Sequence, residues 1–194
     1  MQKIEFTKMH GLGNDFVIID RRLKKIEIND NLIRKLSDRR TGAGCDQLIT
    51  INNTDNKNAN IRIDIFNPAG DKAEACGNGT RCVAKILFDE NDEKKTLKIL
   101  SDAGTLIAKK VGTNISVNMG KITTFWKKIP LSEDMDPLNI PIRVEGFDNG
   151  VGVNIGNPHI VFFGKSIENI DLNQIGPKIE THKFFPKKTN VEFI

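Results

Sequence analysis

The sequence lacks the features that mark several common protein classes. It has no run of ~20 apolar residues that could span a membrane, and residues 1–6 lack the apolar core of a secretion signal. Three cysteines, an odd number, argue against a disulfide framework. Because no C-x-x-C or H-x-x-x-H spacing occurs, a metal site is not predicted. These absences favour a cytoplasmic protein, in a compartment where thiols stay reduced.

Positive charge is in slight excess. The 29 lysines and arginines exceed the 25 acidic residues, and the formal net charge is +4. The lysines are scattered along the chain, and a single tryptophan leaves no aromatic interleaving. A solvated surface therefore explains the charge better than nucleic-acid binding does. We expect neither a nucleic-acid nor a membrane partner.

The run CGNGTRC at residues 76–82 is the most informative motif. A strand and turn pattern at 61–70 precedes it, and an apolar helix pattern follows. A cysteine where a helix begins is expected to have a lowered pKa, because the positive end of the helix dipole stabilises the thiolate. Gly77 and Asn78 could turn their N–H groups toward a carboxylate. Alternatively, Cys76 is a small buried residue in a glycine-rich turn.

A thiol beside an anion-binding turn suits proton transfer at a carbon next to a carboxylate. Inversion of such a carbon requires an acid on one face and a base on the other. Cys76 can fill one of these roles and not both. Cys82 falls inside the apolar helix, where core packing is favoured, and Cys45 lies in a turn before a strand. His159 begins a strand, where it is expected to orient or pack.

A weak internal repeat indicates two similar halves. Gly-Asn followed by an apolar strand occurs at Asn14 and again at Asn157, an offset of 143 residues. Gln47 and Asn190 each lie 33 residues further on, before a strand-like run. The same offset applied to Cys76 gives position 219, past the last residue. We therefore expect one full repeat and a little over half of a second.

Prolines and acidic residues mark a linker at 129–142, and the preceding strand ends near Gly120. We predict two domains, an N-terminal α/β half at 1–121 and a partial C-terminal α/β half at 122–194. The second half is expected to be the less stable one, because no central helix would cover Val161 and Phe163.

Hydrophobic periodicity predicts a mixed α/β fold. Asp30 and Thr80 are the predicted helix N-caps. The predicted helices are 31–39, 80–89 and one within 172–182. The predicted strands are 3–9, 15–20, 46–51, 59–66, 95–100, 104–111, 114–119, 142–147, 150–155, 159–163 and one starting near 190.

Four separated motifs resemble those of one family. They are HGLGNDFVIID at 10–20, GAGCDQL at 42–48, FNPAGDKAEACGNGTRC at 66–82 and GNPHIVFF at 156–163. In this order they resemble diaminopimelate epimerase. The resemblance implies two pseudo-symmetric halves in which strands wrap a central helix, with the second half incomplete here.

The resemblance also implies an activity. Members of the family invert LL-2,6-diaminopimelate to the meso form, in lysine and peptidoglycan precursor biosynthesis, with two cysteines and without a cofactor or metal. Cys76 matches the first catalytic cysteine. The second lies in a segment of the type ERG…ACGTG, which does not occur before Ile194, so the 194-residue chain alone is expected not to epimerise. A small-molecule substrate and a homodimer are implied. The implied substrate-binding residues are Asn14, Gln47, Asn67, Gly77, Asn78, Asn157 and Asn190, with His159 in a supporting role.

Two alternatives stay open. The first is another cofactor-free isomerase of the same fold, similar to proline racemase or to a phenazine-pathway enzyme; the set of amides and the GNPH motif argue against it. The second is an inactive truncated fragment of the epimerase. For Asn67 and Asn157, the residues alone favour a role as turn formers before proline.

Overall fold

The computed structural model describes residues 3–144 and 146–194. The chain divides into two compact units, Met1–Met119 and Gly120–Ile194. The predicted domain boundary lies two residues later, after residue 121. In the described residues the strands are β1 Thr7–Gly11, β2 Asn14–Asp20, β3 Gln47–Asn52, β4 Ile61–Phe66, β5 Lys72–Ala73, β6 Thr96–Ser101, β7 Gly104–Val111, β8 Asn114–Asn118, β9 Val151–Asn154, β10 Pro158–Phe162 and β11 Asn190–Phe193. The helices are α1 Asp30–Ser37, α2 Gly77–Glu90 and α3 Leu172–Glu180.

The first unit is one sheet curled around one helix. Its strands are ordered β1-β2-β3-β4-β6-β7-β8, and β5 pairs with β4. The β2–β3 and β4–β6 pairs are parallel, and the other pairs are antiparallel. Helix α2 contacts β1 and β8, which are the two ends of the strand order. The sheet must therefore bend around α2, as the predicted fold requires.

Both faces of β2 are buried, and this explains its uninterrupted apolar sequence. Phe16 and Ile18 belong to the core that α2 fills, together with Val83 and Phe88. Val17 and its alternate neighbours belong to a second core on the opposite face, where α1 packs. A strand covered on one face alone would alternate apolar and polar residues.

Gly79 lets the first turn of α2 lie directly against the sheet. A Cβ atom at this position would be 2.4 Å from Ile49 Cδ1 and 3.3 Å from Phe16 Cε1. Both neighbours are fully buried, so a side chain here would displace packed core atoms. The close approach brings Cys76, at the end of the helix, to the point where β2 begins.

The two predicted N-caps are wrong. Helix α1 is capped by Asn29, whose side-chain oxygen accepts from the N–H of Leu32 at 2.9 Å. Helix α2 is capped by Cys76 and begins at Gly77. Thr80 lies inside the first turn, because its hydroxyl donates to the carbonyl of Cys76 at 2.8 Å. The glycines that suggested a turn are helical because tertiary packing outweighs their low helix propensity.

The second unit repeats the topology of β1, β2 and β3. Its sheet has the order β11-β10-β9, with β10 antiparallel to β9 and parallel to β11. Helix α3 connects the parallel pair, as α1 does in the first unit. Phe16 pairs with Gln47, and His159 pairs with Asn190. Both partners are displaced by the predicted 143 residues, so the register confirms the repeat.

The two faces of β10 differ in exposure. Ile160 and Phe162 are fully buried in the core of the second unit, to which Ile179 of α3 contributes. Val161 lies on the other face and is only partly buried, and Phe163 is 62% exposed. The predicted exposure of Phe163 is therefore confirmed, whereas the neighbouring face has a complete core.

The strand predicted at 142–147 is wrong where the structure describes it, and Glu145 lies outside the described residues. Val144 and Phe147 form a single bridge, each donating its N–H to the other's carbonyl. Gly146 has a φ of +80°, which suits a tight turn and not a strand. The predicted first strand also begins later, at Thr7. In the described part of the chain, no helix is both long and apolar enough to cross a membrane.

Adjacent phenylalanines provide a test of this core. Phe162→Ala should lower the free energy of unfolding of the second unit by about 3–5 kcal/mol, because a buried ring is lost. Phe163→Ala should change it by less than about 0.5 kcal/mol. Trp126, the sole tryptophan, packs against the core of the second unit, so urea unfolding followed by its fluorescence reports on this unit. Equal effects of the two substitutions would contradict the assignment of the faces.

Candidate active site

Cys76, Asn14 and Asn78 form a cluster at the N-terminus of α2. The Cys76 thiol lies 3.7 Å from Oδ1 of Asn14, the first residue of β2. Its sulfur accepts from the N–H of Gly79 at 3.4 Å. Nδ2 of Asn78 lies 3.5 Å from the same Asn14 oxygen, and Arg81 donates to Oδ1 of Asn78. The cluster thus surrounds a thiol with amide groups.

Gln47 and Asn67 form a second amide pair in the first unit. Nδ2 of Asn67 donates to the carboxylate of Asp71 at 2.7 Å, and Nε2 of Gln47 donates to Oδ1 of Asn67 at 3.1 Å. Since a carboxylate accepts only, Asp71 determines the orientation of both amides. Oε1 of Gln47 is buried and has no partner among the described residues. It is an acceptor free for a donor such as an ammonium group.

Asn67 is also a turn former. Its N–H donates to the carbonyl of Asp71 at 2.8 Å, and its own carbonyl accepts from Gly70 at 2.9 Å. The turn and the side-chain network therefore coexist at this residue, so the turn does not exclude contact with a ligand.

The remaining predicted site residues, Asn157, His159 and Asn190, lie together in the second unit. Nε2 of His159 is 2.9 Å from Oδ1 of Asn157, and Nδ1 is 2.7 Å from Oε1 of Glu192. Nδ2 of Asn190 donates to the carbonyl of Pro158 at 2.9 Å. These contacts hold the imidazole in one orientation. Glu192 was not predicted, although it follows Asn190 by two residues and so lies on the same face of β11.

The pKa of the Cys76 thiol is raised, so the predicted lowering is wrong. Burial is the main cause, because a thiolate would lose solvation there. The N–H groups of Gly79 and Asn78 and the charge of Arg81 act in the opposite direction and do not compensate. The motif indicated the favourable helix terminus but not the depth of burial.

The other two thiols are core residues. Cys45 packs with the α1 face of the sheet, and Cys82 packs inside α2 against the other face. Their exposed fractions are 2% and 4%. Neither can reach a ligand in solution without a change of fold. The structure describes no group of three or more His, Cys, Asp and Glu side chains that could hold a metal ion in residues 3–144 and 146–194.

A charged cluster beside Asn14 was missed in the sequence. Arg39 donates to Oδ1 of Asp15 and to Oδ1 of Asp46, each at 2.7 Å. Its guanidinium holds the pKa of Asp15 well below the usual range, against the effect of burial, and Lys8 adds to the lowering. Asp15 follows Asn14, and Asp46 precedes Gln47. The parallel pairing of β2 and β3, which places these ends side by side, is the signal that could have revealed the cluster.

A cavity of about 580 Å³ lies elsewhere in the first unit. Phe6, Leu23, Ile86 and Glu90 are among its lining residues, and none of the predicted site residues lines it. The predicted chemistry and this cavity are therefore separate features.

Solved structures share this architecture. A probable proline racemase from Agrobacterium radiobacter matches with a TM-score of 0.60 at 14% identity, over 92% of this chain and 56% of that one. A protein described as a predicted epimerase from Pseudomonas aeruginosa matches with a TM-score of 0.59 at 13% identity, over 99% of this chain and 70% of that one. The chain thus has the mixed α/β fold found in these racemase and epimerase structures.

Sequence comparison identifies the family within that fold. The family model of diaminopimelate epimerase matches residues 6–125. The diaminopimelate epimerase of Pelagibacter ubique is 43% identical over 194 residues, covering 97% of this chain and 69% of the relative. That of Zymomonas mobilis is 40% identical over 189 residues, covering 97% and 68%. This chain belongs to the diaminopimelate epimerase family, a family of isomerases, and spans about two thirds of the length of these relatives.

The raised pKa predicts how Cys76 reacts. Iodoacetamide should label Cys76 slowly at neutral pH, because the thiolate is the nucleophile and little of it is present. The rate should keep rising above pH ~8.5, the usual pKa of a free cysteine. Peptide mass mapping after timed labelling provides the measurement. Cys45 and Cys82 are internal controls and should stay unlabelled until the protein unfolds.

A rate for Cys76 that levels off below pH ~8 would show that the helix terminus outweighs burial. The same shift affects stability. Above the usual pKa the unfolded state ionises first, so the thiol should reduce stability as pH rises through that range.

Proposed function

We propose that this chain takes part in the inversion of the α-carbon of LL-2,6-diaminopimelate to the meso form, in lysine and peptidoglycan precursor biosynthesis. Cys76 is the acid/base group on one face of that carbon. The observation that carries the proposal is the half-buried thiol at the N-terminus of α2, bonded to Asn14 and surrounded by side-chain amides. Family membership supports the choice of substrate.

The first turn of α2 suits the α-carboxylate. The first N–H groups of a helix have no partner within it, and the helix dipole favours an anion there. Gly77 begins the helix directly after Cys76. A carboxylate at this turn would place the α-carbon near the thiol and stabilise the negative charge that develops when the α-proton leaves.

The amides suit the amino groups of the substrate. The free Oε1 acceptor of Gln47 is buried, and an unpaired buried acceptor is unfavourable until a donor arrives. An ammonium group supplies three donors. Asn67 and Asp71 hold Gln47 with this oxygen available. Asn157 and Asn190, with His159, are the corresponding candidates in the second unit.

Proton transfer with inversion needs two groups. A base on one face removes the α-proton, and an acid on the other face gives a proton to the resulting carbanion. The raised pKa keeps Cys76 protonated in the free protein, so it starts as the acid. Cys45 and Cys82 are buried in cores, so neither is the second group. That the 194-residue chain alone does not invert the substrate stays a prediction.

Deuterium exchange tests the role of Cys76 directly. In D₂O, LL-diaminopimelate incubated with the protein should gain deuterium at its α-carbon, measured by mass spectrometry after chiral chromatography. Exchange with retention of configuration needs one acid/base group, whereas inversion needs two. Cys76→Ala should lower the rate of incorporation by at least about 100-fold, the usual contribution of such a group.

Two controls accompany this experiment. Cys82→Ala removes a core thiol and should keep most of the exchange, and L-proline should show none if the substrate is diaminopimelate. Exchange in Cys76→Ala at the unsubstituted rate would contradict the proposal. Inversion by the 194-residue chain that Cys76→Ala abolishes would contradict the two-thiol requirement and would point to His159 as the second group.

A further inference from the structure

Asp46 lies behind the predicted site and contacts the residue that contacts the thiol. Its Oδ2 accepts from Nδ2 of Asn14 at 3.0 Å and from the N–H of Asp15, also at 3.0 Å. Asn14 in turn presents Oδ1 to the thiol of Cys76. A chain of contacts therefore runs from Asp46 through Asn14 to Cys76.

We propose that Asp46 is a positioning residue for Cys76: its carboxylate holds the Asn14 amide with the carbonyl oxygen turned toward Sγ, so that Cys76 keeps its proton in the free protein.

The orientation of Asn14 follows from the chemistry of its partners. A carboxylate accepts hydrogen bonds and cannot donate, so the NH₂ group of Asn14 must face Asp46. A flipped amide would place two acceptor oxygens about 3 Å apart. The carbonyl of Asn14 therefore faces Cys76. A carbonyl accepts from a thiol and repels a thiolate, so this orientation favours the protonated sulfur.

Asp46 is itself held in place. Its Oδ1 accepts from Arg39, which also binds Asp15. Its N–H donates to Oδ1 of Asp15 at 2.9 Å, and the N–H of Asp15 donates back to Asp46. Because these reciprocal bonds join the first residues of β2 to the residue before β3, the carboxylate cannot turn away without breaking several contacts. The anchor is therefore preorganised.

Other charges around Cys76 act in both directions. From α2, Arg81 favours the thiolate, but its guanidinium also donates to Oδ1 of Asn78. From the start of β3, the negative charge of Asp46 disfavours the thiolate. Cys82, the nearby titratable group on α2, is buried. Asp46 thus acts on Cys76 both through its charge and through Asn14, and the second route is the one proposed here.

The role rests on the proposed function, since a protonated Cys76 begins catalysis as the acid. The protonation state can nevertheless be measured without substrate. Labelling of Cys76 by iodoacetamide between about pH 6 and pH 10 reports the thiolate fraction. If deuterium exchange failed but the labelling effects appeared, the function would be wrong and the positioning role would stand.

Asp46→Asn should raise the labelling rate of Cys76 at pH 7 by about tenfold, which corresponds to a pKa lower by about one unit. The new amide can donate to Asn14, so Asn14 is free to turn its NH₂ toward the sulfur. Asn14→Ala alone should also raise the rate, because the acceptor is lost. In the Asn14→Ala background, Asp46→Asn should add less than about twofold, since that route is already broken.

Controls separate this effect from charge and from unfolding. Asp89→Asn removes an equal charge from the ion pair with Lys85 on α2 and should leave the rate unchanged. Cys45 and Cys82 should stay unlabelled in every variant; labelling of all three cysteines would indicate a loosened fold, and Asn14→Ala then carries the test. An unchanged rate in both single variants, or an equal gain from Asp46→Asn with and without Asn14, would overturn the proposal.

Discussion

The close approach of α2 to β2 and β3 is the constraint on which the site depends. A helix can begin this near a sheet only if its first turn carries no side chain toward the strands, and Gly79 meets that condition. The approach buries Cys76 beside Asn14 and shields its sulfur from water. The same geometry that positions the thiol therefore also raises its pKa. Position and protonation state are two consequences of one packing contact.

Much of the architecture could be predicted because it depends on local pattern and on the repeat. The 143-residue offset between Asn14 and Asn157 reappears in the pairing of Phe16 with Gln47 and of His159 with Asn190. A parallel register depends on which residues begin each strand, and Gly-Asn marks that point. The apolar run after Cys76 likewise predicted the central helix, since a helix wrapped by a sheet must be apolar on most sides.

The parts that could not be predicted depend on tertiary contacts. The pKa of Cys76 follows from burial, which no residue in its motif reveals. Helix α2 begins at Gly77 because the sheet packs against its first turn, so glycine propensity misled the prediction of Thr80 as N-cap. The ion pairs of Arg39 with Asp15 and Asp46 join residues that only the β2–β3 pairing brings together.

The central claim is that the amides around Cys76 form the ligand site of the first unit. Titration of ¹⁵N-labelled protein with meso-diaminopimelate, followed by NMR, tests it most directly. The account predicts the largest shifts at the side-chain amides of Asn14, Gln47 and Asn78 and at the backbone amide of Gly77, with little change around Phe6 and Leu23. Shifts confined to the Phe6 and Leu23 cavity, with Asn14 and Gly77 unchanged, would contradict it.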